Sequence, residues 1–351
     1  MDPSLPRASR RLALRLAAAA AAAWLPRAGA QGRTLRFALD GRLDGPAAVF
    51  ALPALKGYFR QEGLDVVLEP GHGAMGVISR LVAGSHEMGC TDLAALMEYL
   101  ANNPGGANRP VAVMIVHSNT PASVLALARS GIRTPADLAG RRLGASPADT
   151  GRRAWPIFAR VNAIGGVAWA AGEVAQVEAM LVRGEIDALA GPAYGVLPDL
   201  EARGTRPDQL VLLPYAHYGV KLYGAAILAG EDFVKRNPEA VRAALRAFMR
   251  GTREVVADPR AAIALMKARD PSLDAARELR RLQLALDLAM LTDDARTEGF
   301  GAVTGPRLAL MASQVSDAYG TRERVNANAV WNGSFLPVVA ERNVFTVARH
   351  G

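Results

Sequence analysis

Residues 71–76 read Gly71-His72-Gly73-Ala74-Met75-Gly76, "GHGAMG". The pattern G-x-G-x-x-G cradles a pyrophosphate when it joins a strand to a helix. "LDVVLE" (64–69) reads as a strand before it, and "MGVISRLVAG" (75–84) as a short helix after it. Asp92 lies 21 positions past Gly71, near where dinucleotide folds carry a ribose-binding acid. Placement argues otherwise. That fingerprint belongs on the first strand of its fold, and here a complete strand–helix unit precedes it. Two readings stay open beside the dinucleotide: a loop lining the site of a smaller ligand, and a bare tight turn.

The residues around this loop set the fold class. "TLRFALD" (34–40) reads as a buried strand, and 45–63 as a helix closed by Gly63. "HEMGCTD" (86–92) and "VAVMIVH" (111–117) are further strands, separated by the helix "LAALMEYLANN" (93–103). Strand and helix alternate, which predicts a parallel sheet covered on both faces. A second α/β unit follows, with strands at "SVLALARSG", "RLGAS" (142–146), "DALAG" and "QLVLLPYA". Helices fall at 150–164, within 174–191 and at "YGVLPDLEARG". "VKLYGAAILAG" (220–230) is an apolar segment suited to crossing between units. From Glu231 onward the pattern is nearly all helical, and "FLPVVAERNVF" packs back on the body.

Residues 1–30 have a basic start, an alanine-rich run and the small-residue end Ala28-Gly29-Ala30. This is the pattern of a secretory signal cleaved after Ala30. Ser9-Arg10-Arg11 with Leu14-Arg15 resembles the twin-arginine motif, although Ala13 sits where that motif prefers a large apolar residue; a plain Sec signal fits equally. The chain carries a net +8, and a net four of those charges lie in the signal. The remaining arginines are scattered, which excludes a nucleic-acid footprint. The chain beyond the signal is long enough for two domains. A single cysteine, Cys90, excludes an internal disulfide, and the lack of a cysteine after the signal argues against a lipid anchor. No later run is apolar enough to span a membrane. The expectation is a soluble exported monomer.

Little points to catalysis. The five histidines show no H-x-x-H or H-E-x-x-H spacing, and there is no G-x-S-x-G elbow. Cys90, between Gly89 and Thr91, reads as a buried inert thiol. Neither a metal nor a cofactor is expected. What recurs is strand-end loops rich in small and polar residues. They are Asp40-Gly41, Gly71-His72-Gly73-Ala74, Thr91-Asp92, His117-Ser118-Asn119, Pro147-Ala148-Asp149-Thr150 and Gly191-Pro192-Ala193-Tyr194. Each alone reads as an ordinary loop. Together they suit a ligand cleft, because open α/β sheets bind ligands beyond the carboxyl ends of their strands.

The order "GYFRQEGLDVVLEPGHG", "LVAGSHEMGCTD", "GIRTPADLAGRRLGA", "MLVRGEIDALAG" resembles the solute-binding proteins of ABC importers for thiamin-pyrimidine precursors, taurine, alkanesulfonates and nitrate. The likeness covers about 34–345. Fungal thiamin pyrimidine synthases share that fold. The resemblance implies a type II periplasmic binding protein: two α/β lobes joined by two crossover strands and closing by a hinge. Lobe 1 comprises 33–118 plus 225–351, with a helical C-terminal part, and lobe 2 comprises 119–224. It further implies a periplasmic address, an inner-membrane permease with a cytoplasmic ATPase as partner, and no enzymatic activity. In thiamin-precursor binders the first strand often ends Leu-Asp-Trp, with the Trp stacking on the pyrimidine. Here it ends Leu39-Asp40-Gly41, so that shelf is missing, and Trp155 or Tyr194, or less readily Tyr223, could supply a substitute. Lys56, before Gly57-Tyr58-Phe59, belongs to the same phrase and reads as a solvated helix residue. The ligand would be held by strand-end N–H groups, Asp40, Thr91, Asp92, Asp149 and one aromatic, with Asp40 and Asp92 accepting from amino groups if it is a pyrimidine-like ring. For a sulfonate, Ser118, Thr150 and the helix N-termini at Gly73 and Thr150 lead instead. Two alternatives share the fold: a pyrimidine-synthase-like enzyme, although the cysteine-rich motif of those synthases is absent, and a ligand-binding sensor.

Overall fold

The computed structural model describes residues 33–345. The secretory signal at 1–30, its twin-arginine motif and the cleavage point lie outside the described residues. Ten strands form two five-stranded sheets. The first has the order β2-β1-β3-β10-β4: β1 Arg33–Leu39, β2 Leu64–Glu69, β3 Met88–Asp92, β4 Val111–Ile115 and β10 Ala225–Ala229. The second has the order β7-β6-β8-β5-β9: β5 Ala122–Leu127, β6 Arg142–Ala145, β7 Ala168–Ala171, β8 Ala188–Pro192 and β9 Leu210–Pro214.

Neither sheet is purely parallel, contrary to the strand–helix alternation. β10 runs antiparallel to both β3 and β4, and β5 runs antiparallel to both β8 and β9. The reason lies in the connections. β5 is the first strand the chain forms after leaving the first sheet, and β10 is the strand it forms on returning. Both therefore enter without the helical crossover that would turn the chain parallel. The two passing segments are bonded to each other: Thr120 N–H donates to Leu222 O at 2.9 Å, and Gly224 N–H donates to His117 O at 2.9 Å. Gly224 is needed there, because a Cβ would lie 2.9 Å from the His117 Cβ.

The inner strands, such as β3, β5, β8 and β10, are buried on both faces, as sheets covered by helices require. α1 (Ala48–Leu55) packs against the long C-terminal helix α7 (Pro238–Ala257) through the ring chain Phe37–Phe50–Phe248. The helix expected over 45–63 is divided: Gly57 takes φ +71°, ending α1 before a short turn of helix at Tyr58–Gln61. α2 (Ala74–Val82) and α3 (Leu93–Asn102) cover the other face of the first sheet with Val77, Ile78, Leu81, Leu96 and Met97. In the second sheet, α4 (Thr150–Val161), α5 (Val174–Arg183) and α6 (Ala193–Ala202) play the same part. The chain after β10 is largely helical as expected: α8 (Pro259–Arg269) follows α7, and α9 (Ala275–Ala285) reaches across to pack on α6.

Candidate functional site

The carboxyl ends of β1, β3, β4 and β8 converge on a cavity of about 210 Å³. Pockets for drug-sized ligands hold roughly 300–1,000 Å³, so the ligand that fits is small. Most of the wall comes from the first sheet and the loop after β1, including Asp40, Asp44, Phe50, Cys90 and His117. Tyr194, at the start of α6, closes the cavity from the second sheet. Its ring stands 5.9 Å from that of His117, edge to face.

Four carboxylates gather here or beside it, and burial dominates each. Asp40 is pushed up to about 6, partly offset by the Thr91 hydroxyl, which donates to it at 3.0 Å. Asp44 is likewise pushed up to about 6 by burial, with the Glu278 carboxylate adding to the effect and Arg281 and Arg42 opposing it. Asp92 rises to about 6, while its side chain caps α3 by accepting the Ala95 N–H at 3.1 Å. Asp149 rises to about 7, with Asp92 adding to the burial, and caps α4 by accepting the Gly151 N–H at 2.7 Å. Burial works the other way on a base: His117 is lowered to about 4 and is neutral at physiological pH. Its Nδ1 is buried with no hydrogen-bond partner. Cys90 is driven well up, first by burial and then by Asp40.

Of the residues singled out in the sequence, Asp40, Gly41 and Tyr194 line the cavity. Thr91 is fully buried behind Asp40 and holds it in place. Asp92, Asp149 and Thr150 sit at the helix N-termini of the adjoining strand ends, where the two aspartates serve as caps. Ser118 is buried in the first crossing segment. Asn119 accepts from Arg307 at 3.0 Å and is tied to the C-terminal helices. Trp155 lies in the core of the second unit, 5.4 Å from Trp169 and 5.7 Å from Phe158. Tyr223 is buried, and its hydroxyl accepts the Thr304 N–H. Lys56 pairs with Glu254 on α7.

The glycine loop has a different task from cradling an anion. Gly71 N–H donates to Gly41 O at 3.2 Å, and Gly73 N–H to Asp40 O at 2.7 Å. A Cβ on Gly71 would meet Leu39 O at 2.5 Å, and Gly73 takes φ +75°. His72 is exposed. Gly71, His72, Gly73 and Ala74 lie outside the cavity wall. The loop is a buttress: its amides clamp the turn that carries Asp40 and Gly41.

Sequence reading missed Asp44 and the groups behind it. Glu278 accepts the Gly45 N–H at 2.6 Å, and Arg281 lies 3.4 Å from the same carboxylate. Arg281 donates to Gly195 O at 2.8 Å and to Asp199 at 2.7 Å, gripping the helix that carries Tyr194. These residues lie more than 200 positions from the loop they serve, so no local pattern marks them.

The sequence matches the NMT1/THI5-like family over residues 48–262, more than half of the chain. This protein belongs to the NMT1/THI5-like family. No curated protein sequence matches it. Solved structures do match this NMT1/THI5-like chain in fold. The periplasmic aliphatic sulphonate binding protein SsuA from Escherichia coli superposes with a TM-score of 0.68 at 17% identity, covering 87% of this chain and 94% of that one. The alkanesulfonate-binding protein SsuA from Xanthomonas axonopodis pv. citri, bound to MOPS, gives 0.63 at 17% identity, covering 85% and 98%. The desulfurization enzyme DSZB gives 0.58 at 15% identity, covering 86% and 97%. At such identities the likeness is one of fold. The NMT1/THI5-like chain thus has the two-lobed architecture of periplasmic binding proteins. Among its described residues no helix is long and apolar enough to cross a membrane, and no cluster of three or more metal-ligating side chains forms.

Proposed function

We propose that this chain is the substrate-binding component of an ABC importer, capturing a small polar organic solute between its two lobes. One observation carries the reading. The cavity is walled by strand ends of the first sheet and completed by a single ring, Tyr194, from the second. Such a cavity forms only when the two units approach, so ligand and closure are coupled. The lobes would be 33–118 with 225–351, and 119–224. Residues 116–121 and 215–224, which pass between the sheets, would be the hinge. The signal-like residues 1–30 fit export to the periplasm as a soluble monomer. The partner would be an inner-membrane permease with its ATPase.

An enzymatic reading is poorly served by the wall. A nucleophilic cysteine needs a lowered pKa from cationic surroundings, whereas Cys90 is held as a thiol by burial and Asp40. His117, the one imidazole in the wall, has no carboxylate orienting it. Titration calorimetry and thermal shift on the mature protein with a panel of small polar amines, sulfonates and aminopyrimidines test the proposal. A ligand should stabilise the fold in proportion to its occupancy. Failure of every such molecule to bind would overturn it.

A further inference from the structure

The charge of the cavity separates the ligand classes that the sequence leaves open. We infer that the ligand presents an organic cation, an ammonium or amidinium group, to Asp40 and Asp44, with His117 Nδ1 as the third polar contact. The inference rests on the binding role proposed above and adds to it the sign of the ligand's charge.

Three observations converge. First, two carboxylates, Asp40 and Asp44, face one small cavity. The basic residue of the wall is Arg42, which is exposed and close enough to Asp44 to act on its charge, one cation against two carboxylates. Arg281 lies behind Asp44, but its guanidinium is committed to Glu278, Asp199 and the α6 carbonyls. A sulfonate entering here would meet like charge, which costs several kcal/mol at close range. Second, at the helix starts α2, α3 and α4 the groups an anion normally uses are already taken. Helix N-termini attract anions through free N–H groups. At α3 and α4 these are capped by Asp92 and Asp149, which place negative charge where an anion would sit. At α2 the Gly73 amide is spent on Asp40 O.

Third, His117 is about 94% buried by its 6% exposure, lies in the wall and keeps Nδ1 without a partner. Buried polar atoms in native folds find hydrogen-bond partners; Nδ1, enclosed as it stands, gains one when a small shift of the wall on binding opens it to the ligand. A neutral imidazole can accept from an ammonium N–H or donate to a ligand oxygen. Tyr194 adds an aromatic face, which also favours a cation over an anion.

The test uses probes of one carbon skeleton and differing charge on the mature protein: ethanolamine, isethionate and the zwitterion taurine, each extended to its three-carbon homologue. The expected order is the amines first and isethionate last, with taurine between. Asp44→Asn should weaken amine binding by about tenfold or more, since hydrogen bonds to charged groups carry roughly 1.5–3 kcal/mol, and should not weaken isethionate. Asp40→Asn serves as a second variant, because asparagine can still accept from Thr91. Tighter binding of isethionate than of ethanolamine would overturn the inference and leave the binding role standing. Silence of the protein toward all six probes would count against both.

Discussion

Arg281 on α9 holds the first turn of α6 by its carbonyls, lying 2.8 Å from Gly195 O and 3.3 Å from Tyr194 O. The same guanidinium meets Asp199 and, on its own helix, Glu278, which in turn accepts the Gly45 N–H. A continuous polar chain therefore runs from the loop behind Asp44, through Glu278 and Arg281, to the backbone of Tyr194. Arg280 with Glu201 and Arg277 with Asp199 lie along the same contact. The cavity's single contribution from the second sheet is fixed by a helix belonging to the first unit.

Arg281→Met should therefore do two things. It leaves Glu278, 7% exposed, without its counter-ion, and removing one partner of a buried pair costs about 3 kcal/mol or more. It also frees α6, so the radius of gyration in solution should rise as the units part. Arg281→Lys keeps the charge but loses the fork that spans two carbonyls and a carboxylate, and should fall between. Denaturant unfolding and small-angle scattering check both. An Arg281→Met protein with unchanged midpoint and unchanged scattering would remove the latch from the account.

The buried acids give the ligand-free protein a stability that falls as pH rises. Asp40, Asp44 and Asp92 titrate at about 6 in the fold, and Asp149 and Glu178 at about 7, all raised chiefly by burial. An acid whose folded pKa is raised contributes stability fully present below its unfolded pKa and lost as pH climbs through the folded one. The window runs from about 4 to about 7. His117, lowered to about 4, opposes this, since its contribution is lost as pH falls from about 6.5 toward 4. Five acids outweigh one imidazole, so Tm should be higher at pH 5 than at pH 8. A saturating amine, by favouring the ionised carboxylates, should flatten the slope. A ligand-free Tm that rises from pH 5 to pH 8 would contradict the burial argument.

How much of this was legible in the sequence depends on range. Strands such as β1 and β3, and the helix after β3, announce themselves through local apolar runs closed by Gly or Asp, and the structure has them within a residue or two. Two failures were local. β7 (Ala168–Ala171) is a short edge strand of alanines around Trp169 and lacks the β-branched run that marks a strand. The 45–63 helix breaks because Gly57 adopts a left-handed conformation. Trp155 was misjudged by chemistry, because an aromatic was wanted in the cleft. Its spacing with Ala154, Ile157 and Phe158 already described the buried face of an amphipathic helix. The antiparallel strands β5 and β10, Asp44 and Arg281 depend on contacts between segments far apart in the chain, and nothing near them in the sequence encodes those contacts.

The glycine loop supplies a prediction opposite to the one a nucleotide site would make. Gly71→Ala puts a methyl 2.5 Å from Leu39 O, a backbone atom that cannot swing aside. Overpacking of this kind costs about 1–3 kcal/mol. Because Gly71 and Gly73 clamp Gly41 and Asp40, the displacement passes into the cavity wall and ligand affinity should fall with stability. Gly73→Ala is strained by φ +75° with ψ 165°, a region almost reserved for glycine. His72→Ala, on an exposed side chain, should stay within about 0.5 kcal/mol. Parallel denaturation curves for the three variants check the order. A protein indifferent to Gly71→Ala would show that the loop does not brace Asp40.

Cys90 offers the sharpest separation between a binder and a catalyst on this fold. Cys90 lines the cavity, so position alone fits a nucleophile. Its surroundings do not: it is 5% exposed, and burial and the neighbouring Asp40 both hold the proton on sulfur. The thiolate is the reactive form, so native protein should react with a thiol reagent such as iodoacetamide far more slowly than unfolded protein. Labelling should track global unfolding as denaturant is added. Cys90→Ala removes one small side chain from the wall and should leave amine binding within about threefold of the parent. Rapid stoichiometric labelling of the folded protein at neutral pH, blocked by ligand, would mean that a thiolate faces the cavity and would reopen the enzymatic reading.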